Sequence, residues 1–113
     1  MTSEDFRRMA LAFPETSEGE HMGHPDFRVG KRIFATILPD AEWGMVRLTP
    51  PQQKMFVQAE PRMFVPVKGG WGRRGATQVR LKTAGKAAVR GALEAAWRNA
   101  APPRLVDQFE RDS

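Results

Sequence analysis

The order of short β-prone runs constrains the fold most, because the links within each group of runs are too short for a helical crossover. Three runs precede a clear helix start and two follow it; they cover residues 27–29, 33–38, 43–48, 64–67 and 77–81. Parallel neighbours in a sheet need a crossover of about a dozen residues or more. The strands are therefore predicted to pair antiparallel.

Three helices are predicted around these strands. Thr2 is placed to cap the first helix with Asp5 at its third position, and Pro14 with the polar stretch after it ends this helix and starts a loop. The segment Thr49-Pro50-Pro51-Gln52 combines a hydroxyl cap, a proline at the first helical position and a glutamine positioned for the reciprocal capping bond. This segment predicts a second helix over about residues 50–59.

The last helix is predicted to start from a Thr83 cap and to carry an apolar stripe that includes Leu93 and Trp97. Two prolines close this helix, so the main domain is expected to span residues 1–101. Residues 102–113 are predicted to form either a short extra turn or a flexible tail. The complete order, α-β(3)-α-β(2)-α, predicts a two-layer α+β domain whose antiparallel sheet is covered by helices on one face.

A chain of 113 residues, with 41% hydrophobic and 27% charged residues, supports one core and excludes two independent domains. No apolar run approaches the roughly 20 residues needed to cross a bilayer, and the start, Met-Thr-Ser-Glu-Asp, lacks the features of a signal peptide. A soluble, cytoplasmic protein without membrane association is therefore expected. The absence of cysteine excludes a disulfide framework, a thiolate zinc site and a cysteine nucleophile.

The charge is unevenly distributed along the chain. The net charge is +5; residues 41–113 hold thirteen basic and six acidic residues, whereas residues 1–40 hold five and seven. Residues 61–93 contain eight basic residues and no acidic residue. A polyanionic partner explains this composition, and the alternative is a set of solvated side chains spread around the surface. Convergence of the cations on one side of the fold distinguishes the two.

The Gly-rich segment 68–75 offers suitable groups for contact with nucleic acid. Arg73 and Arg74 can each bind a phosphate through two parallel hydrogen bonds, and Trp71 can stack on an exposed base. Four glycines permit positive φ, so successive N–H groups are able to form an anion nest, although ordinary turn chemistry satisfies the same pattern. Trp71 also has a structural alternative, as a lid folded back over the sheet.

Cations on two hairpins extend this candidate site. Arg80 and Lys82 lie two apart on the predicted last strand and are expected to project from one face. Arg28 and Arg32 flank a two-residue Gly30-Lys31 turn in the first hairpin, so the two hairpins are able to act as wings. The predicted nucleic-acid-binding residues are Arg28, Arg32, Lys68, Trp71, Arg73, Arg74, Arg80 and Lys82.

His21 and His24 lie near several carboxylates, a pattern that raises the question of a metal site or of acid–base catalysis. The chain has no third histidine, and Gly23 and Pro25 place the pair in a loop, where the rings are expected to satisfy backbone groups. No serine lies in a nucleophile-elbow context. We therefore expect no catalytic residue, no metal and no cofactor, in a protein that is not an enzyme.

Four stretches of the sequence carry a recognisable pattern: residues 21–35 (His-Met-Gly-His-Pro-Asp-Phe-Arg-Val-Gly-Lys-Arg-Ile-Phe-Ala), Val46-Arg47-Leu48, Gly70-Trp71-Gly72 and the closing helix. Together they resemble the MmcQ/YjbR family across nearly the whole chain. The resemblance implies an α-β(3)-α-β(2)-α domain with a secretion-chaperone-like layout, and family members are commonly described as DNA-binding proteins with a double-wing motif. Before the final strand, many relatives carry Asn-Lys-x-His-Trp where this chain reads Gly-Trp-Gly-Arg-Arg-Gly-Ala-Thr over residues 70–77.

These observations predict a non-enzymatic DNA-binding protein that contacts the phosphate backbone, with low sequence specificity, through its basic, Gly-rich hairpin region. The alternative is a protein-interaction or small-ligand-binding module that uses the open face of the sheet. Salt-dependent binding of labelled DNA distinguishes the first interpretation from the second. The sequence leaves open whether the chain is a monomer or a dimer.

Overall fold

The computed structural model describes residues 1–113 and contains six strands and five helices. The strands are β1 (Ser17–His21), β2 (His24–Val29), β3 (Arg32–Ile37), β4 (Trp43–Arg47), β5 (Phe64–Pro66) and β6 (Ala76–Arg80). The helices are α1 (Ser3–Leu11), α2 (Pro50–Ala59), α3 (Gly70–Arg73), α4 (Lys86–Ala100) and α5 (Pro103–Arg111), with a 3-10 turn at Leu81–Thr83. None of these helices is both long enough and apolar enough to span a membrane.

All six strands form one sheet with the order β1-β2-β3-β4-β6-β5, and every neighbouring pair is antiparallel. Helices α1 and α4 pack against one face of this sheet, and α2 packs beside β5. The predicted α+β class and antiparallel sheet are thereby confirmed. The face opposite α1 and α4, where the register aligns Thr36, Met45 and Gln78, is termed the open face.

The core lies between the sheet and the helices α1 and α4. Phe6 of α1 packs directly on Gly44 of β4, because a Cβ atom at position 44 would lie 2.8 Å from the Phe6 ring. Trp97 of α4 is fully buried, and its indole Nε1–H donates to the backbone carbonyl of Pro14 at 3.1 Å. Burial of a large apolar side chain stabilises a fold by roughly 1.5–3 kcal/mol before the entropy cost. Trp97 thus ties α4 to the segment that follows α1.

Local signals in the sequence fix two of the predicted features. The backbone N–H of Gln52 donates to the Thr49 hydroxyl at 3.3 Å, and the backbone N–H of Thr49 donates to the Gln52 side chain at 2.9 Å. This reciprocal pair starts α2 where it was predicted, and α1 starts with the same arrangement. Gly30 and Lys31 have φ values of 57° and 69°, as a two-residue hairpin turn of type I′ requires.

Strand β1 differs from the sequence prediction, which places its polar residues in a loop. Ser17–His21 pairs along its whole length with β2 and forms an edge of the sheet. The turn between the two strands consists of Met22 and Gly23, with φ values of 50° and 85°. These are again the torsions of a two-residue type I′ turn, so Met22-Gly23 was the signal for a second hairpin.

The C-terminal part also differs from the prediction. Thr83 does not cap α4, because it lies in the 3-10 turn and its hydroxyl donates to the Arg62 carbonyl at 2.8 Å. Residues 102–113, for which the sequence left a turn or a flexible tail open, contain the nine-residue helix α5. Its Leu105 is buried, and Glu110 accepts a hydrogen bond from Arg98 at 2.5 Å.

Candidate nucleic-acid interface

Strands β4 and β6 present alternate side chains on the open face. The three register pairs there are Trp43 with Arg80, Met45 with Gln78 and Arg47 with Ala76. The intervening residues of both strands are buried on the helix-covered face. Because a strand rises about 3.3 Å per residue, the Trp43 end of β4 lies about 13 Å from the Arg47 end. The open face therefore carries an arginine at each end.

Trp71, in helix α3, lies close to two guanidinium groups at one end of the open face. The Arg47 Cζ atom is 5.3 Å from the centre of the indole ring, and the Arg74 Cζ atom is 5.7 Å away. Trp71 remains 58% exposed, so it is not fully folded back as a lid. The structure thus brings Trp71 and Arg74 together and adds Arg47, which was missed. The period-two alternation of β4 was the available signal for Arg47.

The glycines of this segment allow close packing of the chain. A Cβ atom at Gly72 would lie 1.6 Å from the carbonyl oxygen of Val67, and one at Gly75 would lie 1.9 Å from the carbonyl oxygen of Leu48. Gly75 also has a φ of 114°, which side chains rarely tolerate. Both positions therefore require glycine so that α3 can sit against the neighbouring backbone.

The anion nest that the glycines permit is not built at residues 73–75. The backbone N–H groups of these residues donate to the carbonyls of residues 69, 70 and 72. The side-chain amide of Gln53 donates to the carbonyls of Gly72 and Ala76, at 3.0 Å each. Ordinary turn chemistry accounts for the segment, and its cationic side chains rather than its backbone are available to a ligand.

A second arginine–tryptophan pair stands at the other end of the open face. The Arg80 Cζ atom lies 4.4 Å from the centre of the Trp43 ring. The prediction that Arg80 and Lys82 share one strand was wrong, because β6 ends at Arg80 and Lys82 belongs to the 3-10 turn. Both residues still border one surface depression, together with Trp43 and Glu42.

Arg28 is neutralised by an ion pair with Asp26 on the same strand. Its Nε–H donates to Asp26 Oδ1 at 2.7 Å and its Nη2–H donates to Oδ2 at 3.0 Å. This hydrogen bonding lowers the pKa of Asp26 and raises the pKa of Arg28. Gly19 on β1 leaves room for the pair, since a Cβ atom there would lie 2.9 Å from Asp26 Oδ1. Arg28 is therefore a poor candidate for phosphate contact.

Arg32 does not act together with Arg28. The register pairs Arg28 with Ile33 and Val29 with Arg32, so the two arginines start from opposite faces of the hairpin. Arg32 borders a shallow depression with Arg47 and with Asn99 near the end of α4. The first hairpin therefore contributes neither of its two predicted arginines to the open face, because Arg28 is paired with Asp26 and Arg32 starts from the helix-covered side, like buried Val29.

The other predicted cations have no carboxylate partner. All ion pairs of the molecule involve Arg7, Arg8, Arg28, Arg98 and Arg104. The unpaired cations on or next to the open face, with two tryptophans, are termed the basic surface: Arg47, Lys68, Arg73, Arg74, Arg80, Lys82, Trp43 and Trp71. The acid-free stretch is nevertheless divided, because Lys86 and Arg90 lie between α1 and α4 on the other side of the sheet.

His21 and His24 face each other across the β1–β2 hairpin, with ring centres 6.3 Å apart. The expected hydrogen bonds from these rings to backbone groups are not formed, and His24 Nδ1 is buried without a partner. No three histidine, aspartate or glutamate side chains are grouped so as to hold a metal ion. The prediction that the histidine rings form hydrogen bonds with backbone groups was therefore wrong.

A cavity of about 510 Å³ lies on the open face between the histidines and Trp71. Its walls include Thr36, Met45, Arg47 and Gln78 from the central strands. Thr36 is only 7% exposed, and its hydroxyl has no hydrogen-bond partner. No pattern in the sequence indicates this cavity, because its residues come from strands far apart in the chain.

Comparison with known proteins agrees with this fold. The family model described as YjbR matches residues 11–99, which is most of the chain. The crystal structure of Deinococcus radiodurans protein DR2400, described with family-model domain DUF419, is similar with a TM-score of 0.68 and 20% sequence identity, over 85% of this chain and 75% of that chain. A search among curated proteins finds no match. The resemblance of the sequence is thus confirmed, and the chain belongs to the YjbR family.

Proposed function

We propose that the protein binds single-stranded DNA on its basic surface, chiefly through the phosphate backbone. The observation that supports this function most is the pair of arginine–tryptophan contacts at the two ends of one sheet face, Arg47 with Trp71 and Arg80 with Trp43. Each end offers a cation for a phosphate and an aromatic ring for a base. Proteins that bind single strands without strong sequence preference combine these two elements.

The charges of the basic surface favour a polyanion. None of its cations is paired with a carboxylate, so a phosphate would not have to displace an internal partner. Arginine binds phosphate through parallel hydrogen bonds, and each contact releases condensed counterions from the nucleic acid. Arg73 and Arg74 follow each other on the α3 turn, beside the exposed ring of Trp71.

The exposed indole favours single strands over duplex. Trp71 is 58% exposed even with two guanidinium groups beside it, which leaves ring surface free for a base. Stacking of a base on an aromatic ring requires an unpaired base, and it contributes about 1–3 kcal/mol per base. The long helix α4 packs against the sheet and is not free to enter a major groove.

Fluorescence anisotropy of a labelled oligothymidylate, measured from about 50 to 300 mM salt, tests this function. With four to six phosphate contacts, we expect the logarithm of the binding constant to fall with the logarithm of the salt concentration with a slope of about −3 to −4. The double variant Arg73→Ala/Arg74→Ala should bind more weakly, and its slope should be smaller by about 1.4.

The matched control removes two cations of the same acid-free stretch from the other side of the sheet. Lys86→Ala/Arg90→Ala changes the net charge by the same amount but leaves the basic surface intact. Its binding should stay close to that of the unchanged protein. The function is contradicted if no binding is detected at the lowest salt concentration, or if the two double variants weaken binding equally.

A further inference from the structure

We propose that the cavity on the open face is a binding site for a small organic anion with a flat apolar body, of the aromatic carboxylate class. The cavity lies between His24 of β2 at one end and Trp71 of α3 at the other. Its volume of about 510 Å³ falls within the range of roughly 300–1,000 Å³ that is typical of small-molecule sites. The ligand proposed for this cavity differs from the DNA proposed for the basic surface. Arg47 and Trp71 line the cavity and also belong to the basic surface.

The walls of the cavity are mainly apolar. Ile33 and Met45 line it from β3 and β4, and Leu38 and Val67 line it from the segments that follow β3 and β5. These side chains lie on the open face rather than in the core and are only partly buried, so a ligand in the cavity would cover them. Burial of apolar area is the main source of affinity in such sites. The walls therefore select a ligand with an apolar body.

Two buried polar atoms on the walls lack a hydrogen-bond partner. Thr36 is 93% buried, since only 7% of it is exposed, and its Oγ1 atom makes no hydrogen bond. The Nδ1 atom of His24 is buried and unpaired as well. Most buried polar atoms in folded proteins are paired, so two unpaired atoms on one cavity indicate that a ligand's polar group is expected there. Gln78 adds an amide that forms no internal hydrogen bond on the same wall.

The charges at the cavity favour an anion. Arg47 is the one arginine or lysine among the lining residues, and no aspartate or glutamate lines the cavity. The nearby Asp26 is already neutralised by Arg28. The indole of Trp71 lies beside Arg47 at the rim and offers a flat surface to a planar ligand. In the proposed pose the ligand's carboxylate lies between Arg47 and the Thr36 hydroxyl, and its aromatic body lies between Trp71 and Met45.

Isothermal titration calorimetry with 2-naphthoate tests this site, with the neutral isostere 2-naphthamide as the matched ligand. We expect 2-naphthoate to bind at least about 10-fold more tightly, since only the anion can pair with Arg47. Thr36→Val keeps the volume and removes the unpaired hydroxyl, and it should weaken 2-naphthoate binding about 3- to 10-fold. Met45→Trp fills the cavity and should abolish binding, provided that its far-ultraviolet circular dichroism is unchanged.

The control variant is Lys86→Ala/Arg90→Ala, which should bind 2-naphthoate like the unchanged protein. Equal affinities for the two ligands, no detectable heat with either, or an unaltered affinity in Thr36→Val would overturn the proposed site. Thr36→Val should bind oligothymidylate normally, because Thr36 is not part of the basic surface. Failure of this site and failure of DNA binding are therefore distinguishable.

Discussion

The two faces of the sheet use the same strands for different purposes. On the helix-covered face, alternate residues such as Val46 and Val79 are fully buried, and Trp97 completes a core in which polar groups are rare. On the open face, the neighbouring residues Arg47 and Arg80 form no ion pair and lie against Trp71 and Trp43, and the Thr36 hydroxyl is buried without a partner. The period of two lets one short strand serve stability on one side and recognition on the other.

The two tryptophans Trp97 and Trp71 give the sharpest test of this difference. Trp97→Ala leaves a large cavity and an unpaired carbonyl at Pro14, so we expect a loss of about 3–5 kcal/mol in the free energy of unfolding. Chemical denaturation measures this loss. An unfolding midpoint equal to that of the unchanged protein would show that α4 does not hold the core in this way.

Gly72→Ala affects both stability and the basic surface. Position 72 lets helix α3, which carries Trp71, pack against the neighbouring backbone. The new Cβ atom would lie 1.6 Å from the Val67 carbonyl oxygen, so α3 has to shift, at a cost of about 1–3 kcal/mol. Gly70→Ala is the matched control, since its Cβ atom would meet only the Arg73 guanidinium at 3.8 Å. Thermal unfolding should show a clear decrease in the melting temperature for Gly72→Ala and no such decrease for Gly70→Ala.

Trp71→Ala is the counterpart of Trp97→Ala on the open face. The side chain is 58% exposed, so the free energy of unfolding should change by less than about 0.5 kcal/mol. The affinity for oligothymidylate should fall by about 1–3 kcal/mol, because one stacked base is lost. If Trp71→Ala lowered the stability but left the DNA affinity unchanged, Trp71 would have a structural role like that of Trp97 and no role in binding.

The Asp26–Arg28 pair gives the smallest effect and makes stability depend on pH. The hydrogen bonds from Arg28 lower the pKa of Asp26, so the ionised carboxylate stabilises the folded state above the pKa of the unfolded chain. This contribution is lost as the pH falls through the lowered pKa. The difference in free energy of unfolding between the unchanged protein and Asp26→Asn should therefore be present at neutral pH and shrink below about pH 4.

Asp107→Asn is the control for this titration, because Asp107 forms no ion pair in the structure. Its free energy of unfolding should differ from that of the unchanged protein by a small amount. The prediction is contradicted if the difference in free energy of unfolding between the unchanged protein and Asp26→Asn stays constant from neutral to acid pH. The pair would then not favour the ionised carboxylate.

Local sequence signals were sufficient for much of the fold. The Thr49–Gln52 capping pair and the Gly30-Lys31 turn depend only on residues close together in the chain, so the sequence predicts them. Strand β1 was missed since an edge strand need not have a buried face, and its residues are polar. Its signal was the Met22-Gly23 turn.

The candidate site was predicted in part. The segment 68–75 supplied Trp71 and Arg74 correctly as neighbours, but Arg47 joins them across 24 positions of sequence through strand pairing. The ion pair of Arg28 with Asp26 was predictable from the sequence, because residues two apart on a strand share a face. The cavity at Thr36 was not, since its existence depends on how five strands and α3 are placed together.

Nuclear magnetic resonance of the three indole N–H groups during titration with oligothymidylate tests the central claim most directly. If the open face binds the single strand, the resonances of Trp43 and Trp71 shift with increasing DNA while that of Trp97, which is fully buried and bonded to the Pro14 carbonyl, stays in place. Shifts of the Arg90 and Lys86 amides between α1 and α4, with Trp43 and Trp71 unchanged, would place binding on the other side of the sheet and contradict the claim.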